Sequence, residues 1–464
     1  MTLSKQHWVA TGRDCRTSRI LAVCGRDRSR PYSVMLSAVN RKILALAIPS
    51  IVANITTPLL GLVDTAVTGH MGSAIYIAAI AVGGVMFNML YWLFGFLRGG
   101  TSGLSAQAYG AGNSKETTLV LYRSLIVAVA VGASMILLQR PVENLLIWFL
   151  EPDAATAPLA RQYFRILIWG APAMLSTYAL SGWFLGMQNS RMIMWTSLII
   201  NVVNIAASIS LAYGLHWRIE GVATGTLTAQ WTGLFAGLLF LRRYKLVKVS
   251  LADILRPVEL RRFFFVNIFV MLRTACMIAV TLWFTRAGAS QGAVILAVNT
   301  LLMQLFLLFS YMMDGFAFAA EALTGRYVGA RDSHSLRLCI SRTFRWGMLL
   351  ATLFTAIYFL SGEAFLHLLS SDSGVIAASS DYWLWAITIP FAGYAGFVWD
   401  GVYIGATLTR GLLVTMLCAM AVFFTVDLSL FPLLGNHALW LAFILYLLTR
   451  GIAQAIFYRT HRPL

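Results

Sequence analysis

Carboxylate, guanidinium and amide side chains interrupt several long apolar runs of this sequence. A charged side chain inside a bilayer costs about 2.5–3.5 kcal/mol, so it is retained where it pairs, binds an ion or lines an aqueous path. Asp64 lies about 32 Å along the first apolar run, at 1.5 Å per residue. Because hydrocarbon favours a neutral carboxyl, we interpret Asp64 as a group that binds and releases protons. The alternative is an aspartate satisfied near the outer end of its helix.

The same run contains Pro49 and Pro58, which remove backbone donors and predict a helix that bends. A later run carries Asn201, Asn204 and Ser208, whose spacings of three and four place them on one helix face. These three residues are candidates for a polar substrate cavity, whereas Thr226 of the next run is by itself mostly explained by helix packing. Hydrogen bonding between packed helices is the alternative explanation.

A second group of charges stands near the opposite end of the runs: Arg98, Asp314, Glu321 and Asp400. We expect an inner gate in which Arg98 pairs with Asp314 or Asp400, the alternative being static ion pairing. Another buried cation, Arg273, requires a carboxylate from the second half of the chain. Asp427 is a candidate for that partner by its depth.

The elements that position these groups are membrane-spanning helices. Hydrophobic residues make up 59% of the 464 residues and charged residues 11%, and the mean hydropathy is +0.75, whereas a soluble domain has about 25% charged residues. Runs of about 20 apolar residues predict spanning helices, and the runs are too long for barrel strands. We predict an all-α polytopic membrane protein whose twelve spans cover 42–68, 76–109, 118–139, 159–187, 191–214, 219–241, 263–286, 292–328, 338–360, 377–406, 411–433 and 437–458.

The chain repeats itself after 219 residues. The shift places Tyr163 on Tyr382, Gly182 on Gly401, Gly186 on Gly405 and Arg191 on Arg410. Six spans in each half make the repeats parallel, the arrangement typical of two pseudo-symmetric transporter lobes. The predicted organisation is a disordered cytoplasmic tail (1–37), an N-lobe (38–241), a basic cytoplasmic linker (242–262) and a C-lobe (263–464).

The net charge of +17 is concentrated on one side of this topology. Seven Lys and Arg residues lie between 242 and 262, five between 326 and 345, and nine in the first 42 residues. This positive-inside pattern predicts a multi-pass inner-membrane protein with both termini cytoplasmic, and it disfavours nucleic-acid binding. The tail has no signal-peptide core; a transit peptide is the weaker reading, and Met35 is a candidate natural start.

Several segments resemble a known family. Residues 58–72, PLLGLVDTAVTGHMG, resemble the first-span signature of the multidrug and toxic compound extrusion (MATE) transporters. Residues 103–112 (GLSAQAYGAG), 314–322 (DGFAFAAEA), 400–407 (DGVYIGAT) and 434–440 (LGNHALW) are similar to its DNA-damage-inducible protein F (DinF) branch. Single motifs are moderately specific, but their order from about residue 38 to the end makes the resemblance strong.

The resemblance implies two six-helix lobes around a V-shaped cavity that export lipophilic, often cationic compounds, driven by protons or sodium. It implies that Asp64 is the main protonatable group, that Pro49 is the bending proline, and that Asn201, Asn204 and Thr226 are cavity residues. Where relatives carry a second N-lobe aspartate, this chain has Ser208, and 208 + 219 = 427 places Asp427 at the repeat-related position. Span 7 also lacks the glutamate of the family's C-lobe sodium site, so proton coupling is favoured over sodium.

Other functions are weighed against export of small organic compounds. A lipid or lipid-linked precursor flippase shares this architecture but typically has a cavity rich in basic residues. The embedded cations of this sequence are few, namely Arg98 and Arg273, with Arg165 as a further candidate. An intramembrane enzyme is disfavoured, because the sequence shows no catalytic constellation. The five cysteines are scattered, so no metal site or organic cofactor is predicted. We expect a monomer in the bilayer whose partners are its small organic substrates.

Overall fold

The computed structural model describes the backbone of residues 32–69, 74–215, 217–369 and 372–463. Side chains are described for 36–56, 75–215, 217–362, 364–367 and 372–463. The side chains of Asp64 and Pro58 therefore lie outside the described residues, although both positions belong to the first helix.

Sixteen helices follow one another along the described chain. They are α1 (Tyr32–Gly69), α2 (Ala74–Leu93), α3 (Phe96–Gly110), α4 (Ser114–Leu137), α5 (Gln139–Leu150), α6 (Thr156–Leu167), α7 (Ala171–Gly186), α8 (Ser190–Ile209), α9 (Arg218–Leu241), α10 (Leu251–Ile254), α11 (Pro257–Ala289), α12 (Ala293–Gly329), α13 (Ser333–Leu369), α14 (Ser373–Gly405), α15 (Thr409–Leu434) and α16 (Asn436–Thr460). Helix covers all twelve predicted spans, apart from short breaks and span ends. Nine described segments are long and apolar enough to cross a bilayer, so the predicted all-α membrane fold is confirmed.

Two of the predicted spans are broken helices. The second span divides into α2 and α3 at a turn through Phe94 and Gly95, and the fourth divides into α6 and α7 at the 3-10 turn Ile168–Gly170. By contrast, α1 is continuous through Pro49. Because proline lacks an N–H, the carbonyl of Ala45 loses its helical donor, and the Ser190 hydroxyl lies 3.4 Å from that oxygen.

The helix ends show the internal repeat at the level of the backbone. Adding 219 to the start or end of a helix in the first half gives the corresponding residue of a helix in the second half. The matching pairs are Ala74 and Ala293, Gly110 and Gly329, Ser114 and Ser333, Gly186 and Gly405, and Ser190 and Thr409. We call α1–α9 the N-lobe and α11–α16 the C-lobe.

Close helix packing recurs at equivalent places in the two lobes. A Cβ at Gly182 would lie 2.2 Å from the carbonyl oxygen of Arg98, and a Cβ at Gly401 would lie 2.1 Å from that of Ala317. Both glycines and both carbonyls are related by the 219-residue shift (182 + 219 = 401; 98 + 219 = 317). Only glycine permits such close backbone contact, so α7 packs against α3 in the same way as α14 packs against α12.

Candidate functional site

The polar residues predicted on α8 come together with α9 and α1. Asn204 donates from Nδ2 to Thr226 Oγ1 at 2.8 Å, and Asn201 donates to the Thr56 carbonyl at 3.1 Å. Both Asn204 Oδ1 and Ser208 Oγ are buried and lack a hydrogen-bond partner among the described residues. Because buried polar atoms are normally paired, these two oxygens keep hydrogen-bonding capacity that no described protein group uses.

Asp64 belongs to α1, the helix that packs on this cluster. The contact between α1 and α8 includes Thr56 Oγ1 and Ser197 Oγ, which lie 3.1 Å apart. Asn54, on the same helix, donates to the carbonyl of Tyr311 on α12 at 3.3 Å. The helix that carries Asp64 therefore contacts both lobes.

A network of charged side chains lies inside the C-lobe. Both Arg273 of α11 and Arg450 of α16 donate to Asp400 Oδ2, and Gln454 donates from Nε2 to Asp400 Oδ1 at 2.7 Å. Asp400 is 6% exposed and Arg450 is 2% exposed. The prediction that Arg273 pairs with Asp427 was wrong, because α11 directs the guanidinium toward α14 and α16.

A second ion pair joins the lobes. The Arg98 guanidinium of α3 lies 3.7 Å from Glu321 Oε2 of α12, and 3.8 Å from the centre of the Phe318 ring. The prediction that Arg98 pairs with Asp314 or Asp400 was therefore wrong. Asp314 is half-buried, and its electrostatic interactions are with Arg98, Arg273 and Arg450.

Asp427 has a different environment. It is 2% exposed and accepts a hydrogen bond from Trp283 Nε1 at 2.7 Å through Oδ2. Its other oxygen, Oδ1, has no hydrogen-bond partner in the part of the chain that the structure describes. No salt bridge to Asp427 occurs among the described residues, so this carboxyl is not part of the charge network around Asp400.

The lobes meet closely where the linker lies. A Cβ at Gly110 would lie 2.0 Å from the Arg326 carbonyl oxygen, and a Cβ at Gly329 would lie 2.0 Å from that of Gln107. Gln107 also donates to the carbonyl of Gly405 at 2.9 Å. These contacts exchange under the repeat (110 + 219 = 329; 107 + 219 = 326), so α3 and α12 close this end of the molecule around a pseudo-two-fold axis.

Sequence reasoning missed Arg450 of the Asp400 network and Glu143 of α5, which is buried and pairs with Arg161 and Arg165. Arg450 was visible as an arginine inside the last apolar run, and Glu143 as an acid just after the third. Arg165, which was considered as an embedded cation, has a side chain 61% exposed that pairs with Glu143. In the described part of the chain, no three His, Cys, Asp or Glu side chains are grouped as metal ligands.

Comparison with known proteins agrees with this architecture. The MatE family model matches residues 49–209 and 264–427, one match in each lobe. The chain is 36% identical over 433 residues to DNA damage-inducible protein F of Escherichia coli K12, covering 92% of this chain and 93% of that protein. It is 24% identical to a probable multidrug resistance protein NorM of Chromobacterium violaceum, covering 94% and 98%.

Among solved structures, a Vibrio cholerae MATE transporter in its bent form superposes with a TM-score of 0.83 at 15% identity, covering 92% of this chain and 98% of that one. A transporter of the MOP superfamily from Pyrococcus furiosus superposes with a TM-score of 0.79 at 19% identity, covering 93% and 98%. These likenesses support the fold, while the family match and the Escherichia coli relative establish the family. The chain belongs to the MATE family of multi-pass membrane transporters.

Proposed function

We propose that this transporter exports lipophilic organic cations from the cytoplasm in exchange for protons, with Asp64 as the proton-binding carboxylate of the N-lobe. It acts as a monomer in the inner membrane with both termini in the cytoplasm. The multidrug resistance proteins among its relatives support the substrate class. The clustering of Lys and Arg in the linker and at the termini supports the orientation.

The observation that carries proton coupling is the composition of the N-lobe polar cluster. Its unpartnered oxygens belong to an amide, Asn204, and a hydroxyl, Ser208. Sodium is a hard cation that favours carboxylate ligands, and the described residues of this cluster supply none. A proton-binding site needs only a single carboxylate, and Asp64 of α1 supplies one.

The balance of charge within the membrane favours organic cations over phosphate-bearing lipids. Three arginines, Arg98, Arg273 and Arg450, lie among three carboxylates, Asp314, Glu321 and Asp400. If all six are ionised, their charges sum to zero. A cavity for a phosphate headgroup would need an excess of cations, which these residues do not supply.

The contact between α3 and α12 is suited to be the gate on the cytoplasmic side. It combines close backbone packing at Gly110 and Gly329 with the Arg98–Glu321 ion pair between the lobes. The buried atoms Arg98 Nη1 and Glu321 Oε1 lack hydrogen-bond partners among the described side chains in this closed arrangement. Opening would hydrate both groups, so this ion pair is suited to break and re-form during transport rather than to hold the lobes together permanently.

The test is uptake of a fluorescent lipophilic cation by proteoliposomes under an imposed proton gradient, and separately under a sodium gradient. We expect proton-driven uptake by the wild type and loss of that uptake in Asp64→Asn. Asp381→Asn is the matched control, because Asp381 is exposed and outside the polar cluster. Uptake driven by sodium, or unchanged proton-driven uptake in Asp64→Asn, would overturn the coupling proposal. Transport of a lipid rather than the dye would favour the flippase alternative.

A further inference from the structure

Asp427 differs from Asp400 and Glu321 in the groups that surround its carboxyl. Asp400 forms salt bridges with two guanidinium groups, and Glu321 forms one with Arg98. Asp427 accepts one hydrogen bond from a neutral donor, the indole N–H of Trp283, with 2.7 Å between nitrogen and oxygen. No basic side chain among the described residues forms a salt bridge with it.

The depth of Asp427 makes this environment costly for a charged group. It lies seven residues before the end of α15 at Leu434, or about 10 Å from that end at 1.5 Å per residue. Its indole partner packs against the Phe424 ring with 5.4 Å between ring centres. An ionised carboxylate with one neutral donor among apolar groups is strongly disfavoured, whereas a protonated carboxyl is neutral and can leave Oδ2 to accept from the indole.

Among the described residues, the groups that face Asp427 from the neighbouring helices form no salt bridge with it. Trp283 is its partner from α11. The exposed Arg286 of the same helix has its guanidinium 5.8 Å from the centre of the indole ring and is not paired with Asp427. The α14 and α16 helices also pack on α15. Neither brings a charged group that interacts electrostatically with Asp427 in the described residues.

The internal repeat gives this pair a counterpart in the N-lobe. Subtracting 219 relates Trp283 to Asp64 and Asp427 to Ser208. Each lobe thus has one carboxyl residue at this pair of positions. In the N-lobe it is Asp64 of α1, and in the C-lobe it is Asp427 of α15. In the C-lobe the two positions are in hydrogen-bond contact.

We propose that Asp427 is a second proton-binding carboxyl, placed in the C-lobe, and that Trp283 is its positioning residue. One O–H bond forms at Oδ1 when a proton enters, and the same bond breaks when the proton leaves. No other bond in the protein changes. The role of this proton in transport rests on the proposed function, but its binding to Asp427 does not.

The experiment is infrared difference spectroscopy of the full-length protein in lipid bilayers, recorded between acidic and alkaline pH. We expect a carboxylic-acid C=O band that disappears as pH rises, and loss of this band in Asp427→Asn. Asp381→Asn should retain it. In Trp283→Phe the band should shift to higher frequency, because the carbonyl loses its indole donor.

Two outcomes would overturn the proposal: an Asp427 band that persists at every pH, or wild-type spectra with no band that depends on Asp427. If Asp427→Asn does not fold, Asp427→Glu replaces it, and a band that moves rather than disappears supports the assignment. These spectra do not depend on which ion drives transport. Sodium-driven uptake with a titrating Asp427 band would therefore refute the proposed function and leave this inference standing.

Discussion

The two lobes share their backbone contacts but not their buried charges. The close contact of Gly182 with the Arg98 carbonyl recurs between Gly401 and the Ala317 carbonyl. By contrast, the C-lobe residues Asp400, Arg273 and Arg450 have neutral N-lobe counterparts, 219 residues earlier: Ser181, Asn54 and Trp231. A backbone contact too close for a Cβ restricts both copies to glycine, whereas a polar network can be gained or lost in one copy alone.

This difference concerns the charges with which each lobe surrounds its buried polar groups. The N-lobe keeps an uncharged polar cluster around Asn204 and Thr226 next to the helix of Asp64. The C-lobe neutralises Asp400 with its own guanidinium groups. The proposed function therefore places the exchanged proton in the N-lobe, at Asp64, because the Asp400 carboxylate of the C-lobe is already paired with guanidinium groups of the protein.

The largest effect is expected when the C-lobe network loses a cation. Arg450→Met should lower the free energy of unfolding by about 3 kcal/mol, because a buried carboxylate loses one of its two guanidinium partners. Trp231→Met changes the repeat-related residue of the N-lobe, which has no such role, and should cost less than about 1 kcal/mol. Thermal unfolding of both variants in detergent makes the comparison, and equal midpoints would contradict the assigned importance of the C-lobe network.

A smaller effect is expected at the contact that the two lobes share. Gly329→Ala and Gly110→Ala each place a Cβ about 2 Å from a carbonyl oxygen of the opposite lobe, and such overpacking costs about 2 kcal/mol. Because the cost falls on the closed arrangement, both variants should favour opening at the linker end.

Spin labels at Lys115 and His334, two exposed and repeat-related positions, measure this opening as an increased distance. Gly84→Ala is the control, since a Cβ there has nothing within 4 Å. If the distance is the same in Gly329→Ala and Gly84→Ala, the glycine contact does not hold the closed end.

The sequence predicted the helices well because apolar runs of bilayer length leave the chain little alternative. It did not predict the breaks near Gly95 and at Ile168–Gly170, since these depend on local backbone geometry within runs that remain apolar. Helix-face spacing grouped Asn204 with Asn201 and Ser208, the family resemblance added Thr226, and the structure brings Asn204 and Thr226 together.

The partners of the charged residues could not be predicted in the same way. The positions of Arg98, Asp314 and Asp400 along their helices predicted that the three lie at a similar depth in the membrane. Depth does not specify which face of a helix packs against its neighbour. Arg98 pairs with Glu321 because α3 packs directly on α12 near the pseudo-two-fold axis. Arg273 pairs with Asp400 because α11 and α16 both direct a guanidinium toward α14.

The smallest expected effect concerns an ion-pair network that belongs to the N-lobe alone. Glu143 of α5 is 1% exposed and accepts from Arg161 at 2.8 Å and from Arg165 at 2.9 Å. The repeat-related residues of the C-lobe are Gly362, Ser380 and Leu384, so this network has no counterpart there. Burial opposes ionisation of Glu143, but the hydrogen bonds from Arg165 and Arg161 outweigh it and hold its pKa below the usual value.

Because the folded-state pKa is lowered, the stability that Glu143 contributes is present at neutral pH and is lost as pH falls through that lowered pKa. Glu143→Gln should therefore reduce the free energy of unfolding by about 1 kcal/mol at pH 7, a modest loss because both arginines can turn to water. The difference in melting temperature between wild type and variant should shrink as pH falls below the ordinary glutamate pKa of about 4.3, and it should vanish once pH is below the lowered pKa of the folded state. A difference that stays constant into acid would mean that Glu143 contributes through packing rather than charge. In that case the lobes would differ at their α5 and α6 surfaces by shape alone.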